Sequence, residues 1–232
     1  MADPPRLEAL LKQRRTPIVV LDDVIEEGLA RECIALLDEA MFPALRRMYT
    51  PIPREALVDM KENYTETLPK TVRVRTSTLN TARSKAIDAA RECGLSRMMS
   101  SKSFLRVAQN ATVPPLREDW WARQVICYES GGYSGPHNDH HPEEAATRNG
   151  FVDLHVMFSN RDVASQSLIY EDRGYLSAIH EVSSPAAIAI YRLPFWHYTT
   201  PLVARPKREA TARRWLLLGS FNYEPALKKL EY

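Results

Sequence analysis

Hydrophobic positions along the chain follow two different periods, one in each half. Pro17-Ile-Val-Val-Leu21 is a short continuous apolar run and predicts a strand. Asp22-Asp23 then offers N-cap chemistry to a helix whose apolar positions, Ile25, Leu29, Cys33, Leu36, Leu37 and Ala40, keep the 3.6-residue period. Thr71-Val-Arg-Val-Arg-Thr76 alternates and predicts a second strand, and Thr81 to Cys93 predicts a second helix ending near Gly94. Between the first helix and the second strand, Met48, Tyr49, Pro51, Pro53, Tyr64 and Pro69 mark a proline-interrupted stretch whose aromatics suit a lid over a site.

Beyond Pro114-Pro115 the pattern turns to short β-rich runs. Candidate strands run from Trp121 to Glu129, Ser134 to Asp139, Phe151 to Phe158, Gln166 to Tyr170, Tyr175 to Val182, Ala186 to Arg192, His197 to Val203 and Arg214 to Tyr223. Gly131-Gly132, Asn149-Gly150, Asn160, Gly174, Pro185 and Pro194 punctuate them. This count predicts a mostly β fold with α, a double-stranded β-helix (jelly roll) with supporting N-terminal helices. A chain of 232 residues with 44% hydrophobic content can bury one substantial core. One domain is therefore expected over 1–232, with helical support and a lid over 1–115 and the jelly-roll core over 116–225.

Composition narrows the classes. A net charge of +2 argues against a dedicated polyanion binder while leaving room for local basic patches, and a compact chain without an appended recognition domain suits a small-molecule partner rather than nucleic acid. Cys33, Cys93 and Cys127 are odd in number and widely spaced, with no Cys-x-x-Cys pair, and read as reduced thiols. Met1-Ala-Asp-Pro-Pro-Arg-Leu lacks the charged start and apolar stretch of a secretory signal, and no run reaches the roughly 20 apolar residues of a membrane span. The expectation is a cytoplasmic protein that does not enter a membrane.

Candidate chemistry begins in Tyr133-Ser-Gly-Pro-His137-Asn-Asp139-His-His-Pro142. On an extended segment, positions i and i+2 share a face, so His137 and Asp139 point the same way. His197 follows the buried run Ala186–Tyr191 and a turn at Leu193-Pro194, and opens the next strand beside Phe195 and Trp196. Two imidazoles and one carboxylate form a facial triad, which leaves three open positions on iron(II). His-x-Asp alone arises by chance and reads as surface chemistry; the order of the elements raises the set above that. His155 and His180 sit inside strand-like runs without that context, and His140 and His141 read as solvated residues before Pro142. Arg213 and Arg214 open the apolar run Trp215–Leu218 and close the basic stretch that starts at Arg205. An arginine at the mouth of a strand pairs bidentately with a carboxylate inside a barrel, and alternation lets only one of the two point inward. Arg214 shares its face with Leu216, Leu218 and Ser220, and Arg213 shares its face with bulky Trp215.

Tyr128-Glu-Ser-Gly131-Gly-Tyr133-Ser-Gly-Pro-His137-Asn-Asp139, then Phe151–Asn160, Ser184–Tyr191, His197 and Pro201, resemble in that order the 2-oxoglutarate- and iron(II)-dependent dioxygenases, particularly the branch similar to prolyl hydroxylases. The likeness runs from Trp121 to Tyr223. It implies that His137, Asp139 and His197 hold iron(II), and that 2-oxoglutarate chelates the iron while Arg214 or Arg213 takes its distal carboxylate, with Tyr128 as an added donor. It implies that O2 is consumed, that succinate and CO2 are released, and that a C–H bond of a small molecule or amino-acid side chain is hydroxylated. Tyr133, Arg192, Trp196 and the segment around Tyr64 are then candidate substrate contacts. Two departures stand out. Ala164-Ser-Gln166 replaces the family's usual Gly-Gly and is expected to alter only a turn, and Tyr198–Ala212 is long and basic. The alternatives are a cupin-like metalloenzyme that recruits His140 or His141 and does not use 2-oxoglutarate, and a non-catalytic jelly-roll module that binds a partner through residues 205–214.

Overall fold

The computed structural model describes residues 16–57, 70–80, 83–112, 115–139, 150–182 and 184–224. The N-terminal part holds β1 (Ile18–Asp22), α1 (Glu27–Leu36), β2 (Arg46–Pro51), β3 (Thr71–Thr78), α2 (Lys85–Glu92), α3 (Leu95–Met99) and α4 (Lys102–Asn110). Then come β4 (Leu116–Glu129), β5 (Tyr133–His137), β6 (Phe151–Ser159), β7 (Val163–Ser165), β8 (Ser167–Asp172), β9 (Tyr175–Glu181), β10 (Ala186–Leu193), β11 (His197–Thr199), β12 (Val203–Ala204) and β13 (Arg213–Tyr223). Among the described residues, one antiparallel sheet runs in the order β1-β10-β6-β13-β4-β3-β5-β11-β8-β9, with β2 on β3, and β7 pairs with β12 apart from it. The sheet folds over at β3, whose Arg75–Thr78 pairs with β4 while its Val72 and Arg73 pair with β5. Strands distant in sequence thus become neighbours, as when β13 enters between β4 and β6. The result is the expected jelly roll.

Alternation gives the central strands two different faces. Outward from β4, β6 and β13 point Val125, Cys127, Val152, Leu154, Trp215, Leu217 and Phe221, which pack with Ala30 and Ile34 of α1, Ala86 and Ala90 of α2, and Phe104 and Ala108 of α4. Inward, Met157 and Leu216 meet Ala187, Ala189 and Tyr191 of β10 and Leu168 of β8. The helices therefore close one side of the sheet, and the curl of the sheet closes the other. Gly219 lets α4 approach, because a Cβ there would lie 2.5 Å from the Phe104 ring.

Several boundaries differ from the sequence reading. Asp22 does not cap α1: the β1 ladder extends to Asp22↔Ala187, Asp23 turns at φ 57, and the helix starts at Glu27. The helix passes into a π-helical turn, Leu37–Met41, that buries Leu37 and Met41. α2 starts at Lys85 rather than Thr81 because Ser84 caps it, accepting from Ile87 N at 3.2 Å. α3 and α4 fall in a stretch for which no helix was predicted, and Ser101 caps α4 in the same way. The start of the predicted lid is instead strand β2, where proline is tolerated because β2 pairs only with β3 among the described residues. Tyr64 and Pro69 lie outside the described residues. The strand expected from His197 to Val203 is divided into β11 and β12, with Pro201 between them. No helix among the described residues is long and apolar enough to cross a membrane.

Candidate active site

His137 and His197 are direct register partners on β5 and β11, which places both imidazoles on one face of the sheet. Each ring is held the same way: Nδ1 meets the backbone oxygen two residues earlier, Gly135 O at 2.6 Å for His137 and Phe195 O at 3.0 Å for His197. That leaves both Nε2 atoms free to bind a metal, the arrangement by which proteins fix a ligating histidine. Asp139 reaches the pair by a route other than strand alternation. β5 ends at His137, and Asp139 turns back at φ 53, setting Oδ1 3.4 Å from His137 Nε2 and Oδ2 3.4 Å from His197 Nε2. Ligands held ~2.1 Å from one ion at right angles stand roughly 3 Å apart, so three atoms within 4.8 Å of one another fit a single ion. Burial, then the neighbouring His137, pushes His197 down to about 3, which keeps it as the neutral imidazole that a metal requires.

These residues open onto a cavity of about 350 Å3 between the two layers of the sheet. Its floor is read from the register. Arg214 lies opposite Tyr128 on β4 and beside Ser159 on β6. Two residues along, Leu216 sits between Ile126 and Met157; then Leu218 sits between Gln124 and His155; then Ser220 sits between Ala122 and Asp153. The floor is thus basic at one end, apolar in the middle and acidic at the other end. Arg214 is 2% exposed and has no carboxylate within ion-pair distance among the described residues. Its Nη1 donates to Gln166 Oε1 at 3.1 Å and its Nη2 to Met157 Sδ at 2.8 Å, whereas Nε has no partner. Tyr128 and Thr199 line the cavity beside it, and the guanidinium carbon lies 5.2 Å from the Tyr128 ring centre. The guanidinium thus keeps donor capacity that the described residues leave unused.

No family sequence model matches the chain, and no curated protein sequence matches it. Solved structures do match. An oxidoreductase of the 2OG-Fe(II) oxygenase family from Burkholderia pseudomallei superposes at TM-score 0.61 over 96% of this chain and 93% of its own, at 9% identity. The fold is that of the 2OG-Fe(II) oxygenases. EvdO2 from Micromonospora carbonacea var. aurantiaca (TM-score 0.53, 13% identity, 97% and 94% of the two chains) and SnoK, the non-heme alpha ketoglutarate dependent carbocyclase of nogalamycin biosynthesis (0.53, 12%, 95% and 87%), share it.

Within this oxygenase fold, the candidates from sequence separate. His137, Asp139, His197, Arg214 and Tyr128 line the cavity. Arg213 points to the helical side, 3.3 Å from Asp38 and stacked 3.7 Å over the Phe42 ring. Arg192 bridges the backbone oxygens of Thr16 and Ala111 at 2.9 and 2.8 Å, and Tyr133 is buried with its hydroxyl 2.7 Å from Thr71 Oγ1. Neither of them, nor Trp196, is among the residues lining the cavity. His140 and His141 lie outside the described residues. Of the basic stretch, Arg205 donates to Arg161 O at 2.8 Å and Arg208 stands 3.7 Å from Asp162.

Two features escaped the sequence reading. Gln166 does more than alter a turn: it is fully buried, donates to Gly132 O and Thr200 O, and accepts from Arg214. A lone polar residue just ahead of a strand carries no pattern that would reveal this. Asp153 and His155 also line the cavity, and here a signal existed, because two polar residues at i and i+2 in the otherwise apolar run Phe151–Phe158 share one face.

Proposed function

We propose that the protein is an iron(II)- and 2-oxoglutarate-dependent oxygenase that hydroxylates a C–H bond of a small molecule or an amino-acid side chain, releasing succinate and CO2. The observation that carries this reading is the presence, in one cavity, of a His-Asp-His set and a buried arginine with no carboxylate partner among the described residues. His137, Asp139 and His197 would hold iron(II). Arg214 binds the distal carboxylate of 2-oxoglutarate, with Tyr128 and Thr199 beside it, and Gln166 fixes the direction of the guanidinium. When bound, iron and 2-oxoglutarate supply the oxidising chemistry, which couples reduction of O2 and loss of CO2 to oxygen insertion.

The chain's own part is to bind, orient and keep dry. The backbone carbonyls of Gly135 and Phe195 fix which nitrogen each histidine presents. Leu216, Ile126 and Met157 form an apolar band between the arginine end and the acidic end, which limits water beside the carboxylate-binding guanidinium. The Tyr128–x8–His137–x–Asp139 order that resembles the prolyl-hydroxylase-like branch thereby has its three residues in one site.

The test is succinate release from 2-oxoglutarate with iron(II), together with the thermal shift that 2-oxoglutarate causes in the manganese-loaded protein. Wild type should show both, His197→Ala neither, and Arg213→Ala both. A wild-type protein that binds manganese yet shows no shift with 2-oxoglutarate would sink the reading and favour a metalloenzyme that does without this cosubstrate.

A further inference from the structure

The acidic end of the cavity is unexplained by iron or 2-oxoglutarate. Asp153 is 5% exposed and His155 is 6% exposed, yet Asp153 Oδ1 and His155 Nε2 have no hydrogen-bond partner. His155 Nε2 stands 3.8 Å from Asp153 Oδ2, a charge partner only when the imidazole is protonated, and no lysine or arginine stands within ion-pair distance of Asp153 among the described residues. Both line the cavity, with Ser220 opposite Asp153 on one flank, Tyr191 opposite it on the other, and Gln124 one row away beside Leu218. The His155 ring is held 4.1 Å from the ring of Tyr191.

A carboxylate taken out of water without a cation is costly, and burial indeed raises Asp153 above the usual carboxylate range. The fold gains nothing from placing it there, since a leucine of the same shape would fill the space without that cost. Such a residue is suited to a binding partner of complementary charge. Its neighbours define the partner. Ser220 lies opposite Asp153 with a hydroxyl that can donate to the carboxylate and still accept, and Gln124 donates from its amide nitrogen to Thr76 Oγ1 at 2.8 Å, which leaves the amide oxygen as an acceptor. Asp153 Oδ1, Ser220 Oγ and Gln124 Oε1 thus supply acceptors to the same part of the cavity lining, with one carboxylate among them. An ammonium carries three donors and no acceptor, whereas a hydroxyl carries one donor.

We propose that Asp153, with Ser220 and Gln124, forms a subsite that binds the protonated amine of the substrate, at the end of the cavity opposite Arg214. Along β13, Arg214 and Ser220 are about 20 Å apart at 3.4 Å per residue, so the two ends bind different groups. The carboxylate of one molecule goes to Arg214 and the amine of another goes to Asp153, with the His-Asp-His set opening onto the same cavity. The subsite rests on the oxygenase reading only for which molecule is oxidised; as a binding site it stands on its own residues.

The experiment uses a matched pair of probes, n-butylamine and 1-butanol, on the full chain loaded with Mn(II). Their methylene protons are read for paramagnetic relaxation, and calorimetry on the metal-free protein is run alongside. Wild type should bind the amine at least ten-fold more tightly than the alcohol. Asp153→Leu should lose that preference while keeping its manganese affinity and the thermal shift with 2-oxoglutarate, and should melt at a temperature no lower than wild type. Ser220→Ala, a second variant that does not depend on how the leucine packs, should weaken amine binding several-fold. Equal affinity for the two probes, no amine binding at tens of millimolar, or amine binding that survives Asp153→Leu, as direct ligation of the amine to manganese would give, overturns the proposal. If the metal-free protein discriminates through Asp153 while manganese and 2-oxoglutarate do not bind, the subsite stands and the oxygenase reading falls.

Discussion

β4, β6 and β13 present two faces built from alternate residues of the same strands, and the faces obey opposite rules. Trp215, Leu217, Phe221, Val125 and Leu154 meet the helices in a dry, close-packed layer. Arg214, Ser220, Tyr128, Gln124, Asp153 and His155 face the cavity, where several polar atoms stay unsatisfied at full burial. A one-residue step therefore separates a position chosen for stability from one chosen for chemistry. The helical layer supplies the stability that lets the other face carry buried, unpaired charge.

The largest expected effect is on the packed face. Trp215 is wholly buried, donates from its indole to Asp38 Oδ1 at 3.0 Å and meets Phe42 edge-on with ring centres 6.4 Å apart. Trp215→Ala should cost about 3–5 kcal/mol in denaturant unfolding, since it leaves a cavity that the sheet cannot close. A loss under about 1 kcal/mol would show that the helices do not carry the stability assigned to them.

Moving one residue to Arg214 should reverse the readout. Arg214→Met removes a buried cation that lacks a carboxylate partner among the described residues, so the unfolding free energy should stay the same or rise. The affinity for 2-oxoglutarate should fall roughly 30- to 150-fold, the loss of about 2–3 kcal/mol of charge-assisted hydrogen bonding. Calorimetric titration of the manganese-loaded protein measures it, and an unchanged affinity would place the cosubstrate elsewhere. Gln166→Leu comes next in size. It removes the acceptor that aims Nη1 without touching the charge, so 2-oxoglutarate should bind about five-fold more weakly, about 1 kcal/mol.

How far these two faces could be read from sequence follows from the same alternation. The apolar runs at Phe151–Phe158 and Ala186–Arg192 located the central strands within a residue, because period and burial coincide there. His137 and His197 were identifiable because each stands at a strand end next to a turn, whereas the sequence left the choice between Arg213 and Arg214 open. Asp139 was placed correctly for a different reason from the one that applies, since a left-handed turn, not strand alternation, brings it to the histidines. What stayed hidden depends on contacts between distant segments. Asp38, 177 residues from Trp215, and Gln166, 48 residues from Arg214, have no local signature. α4 was missed because its own pattern is short, and its stability comes from packing Phe104 onto Gly219 and Phe221. Arg192 and Tyr133 looked like contacts because polar groups near a site invite that reading, whereas both satisfy neighbouring segments of the fold.

The smallest effect belongs to Arg213, and it isolates the comparison most cleanly because the residue differs from Arg214 only in which way it faces. Its guanidinium pairs with Asp38 and stacks on Phe42, and both partners belong to the helical layer. An ion pair that is partly exposed and a single cation–π contact contribute about 1 kcal/mol or less each. Asp38 also accepts from Trp215, so it keeps a partner when the arginine is removed. Arg213→Ala should therefore lower stability by about 1 kcal/mol and leave 2-oxoglutarate affinity within two-fold of wild type. The double variant with Arg214→Met should show additive effects on stability and no further loss of affinity, because the two side chains share no partner across the sheet. Loss of cosubstrate binding in Arg213→Ala alone would mean that the helical face transmits to the cavity, and the two faces could then no longer be treated as independent.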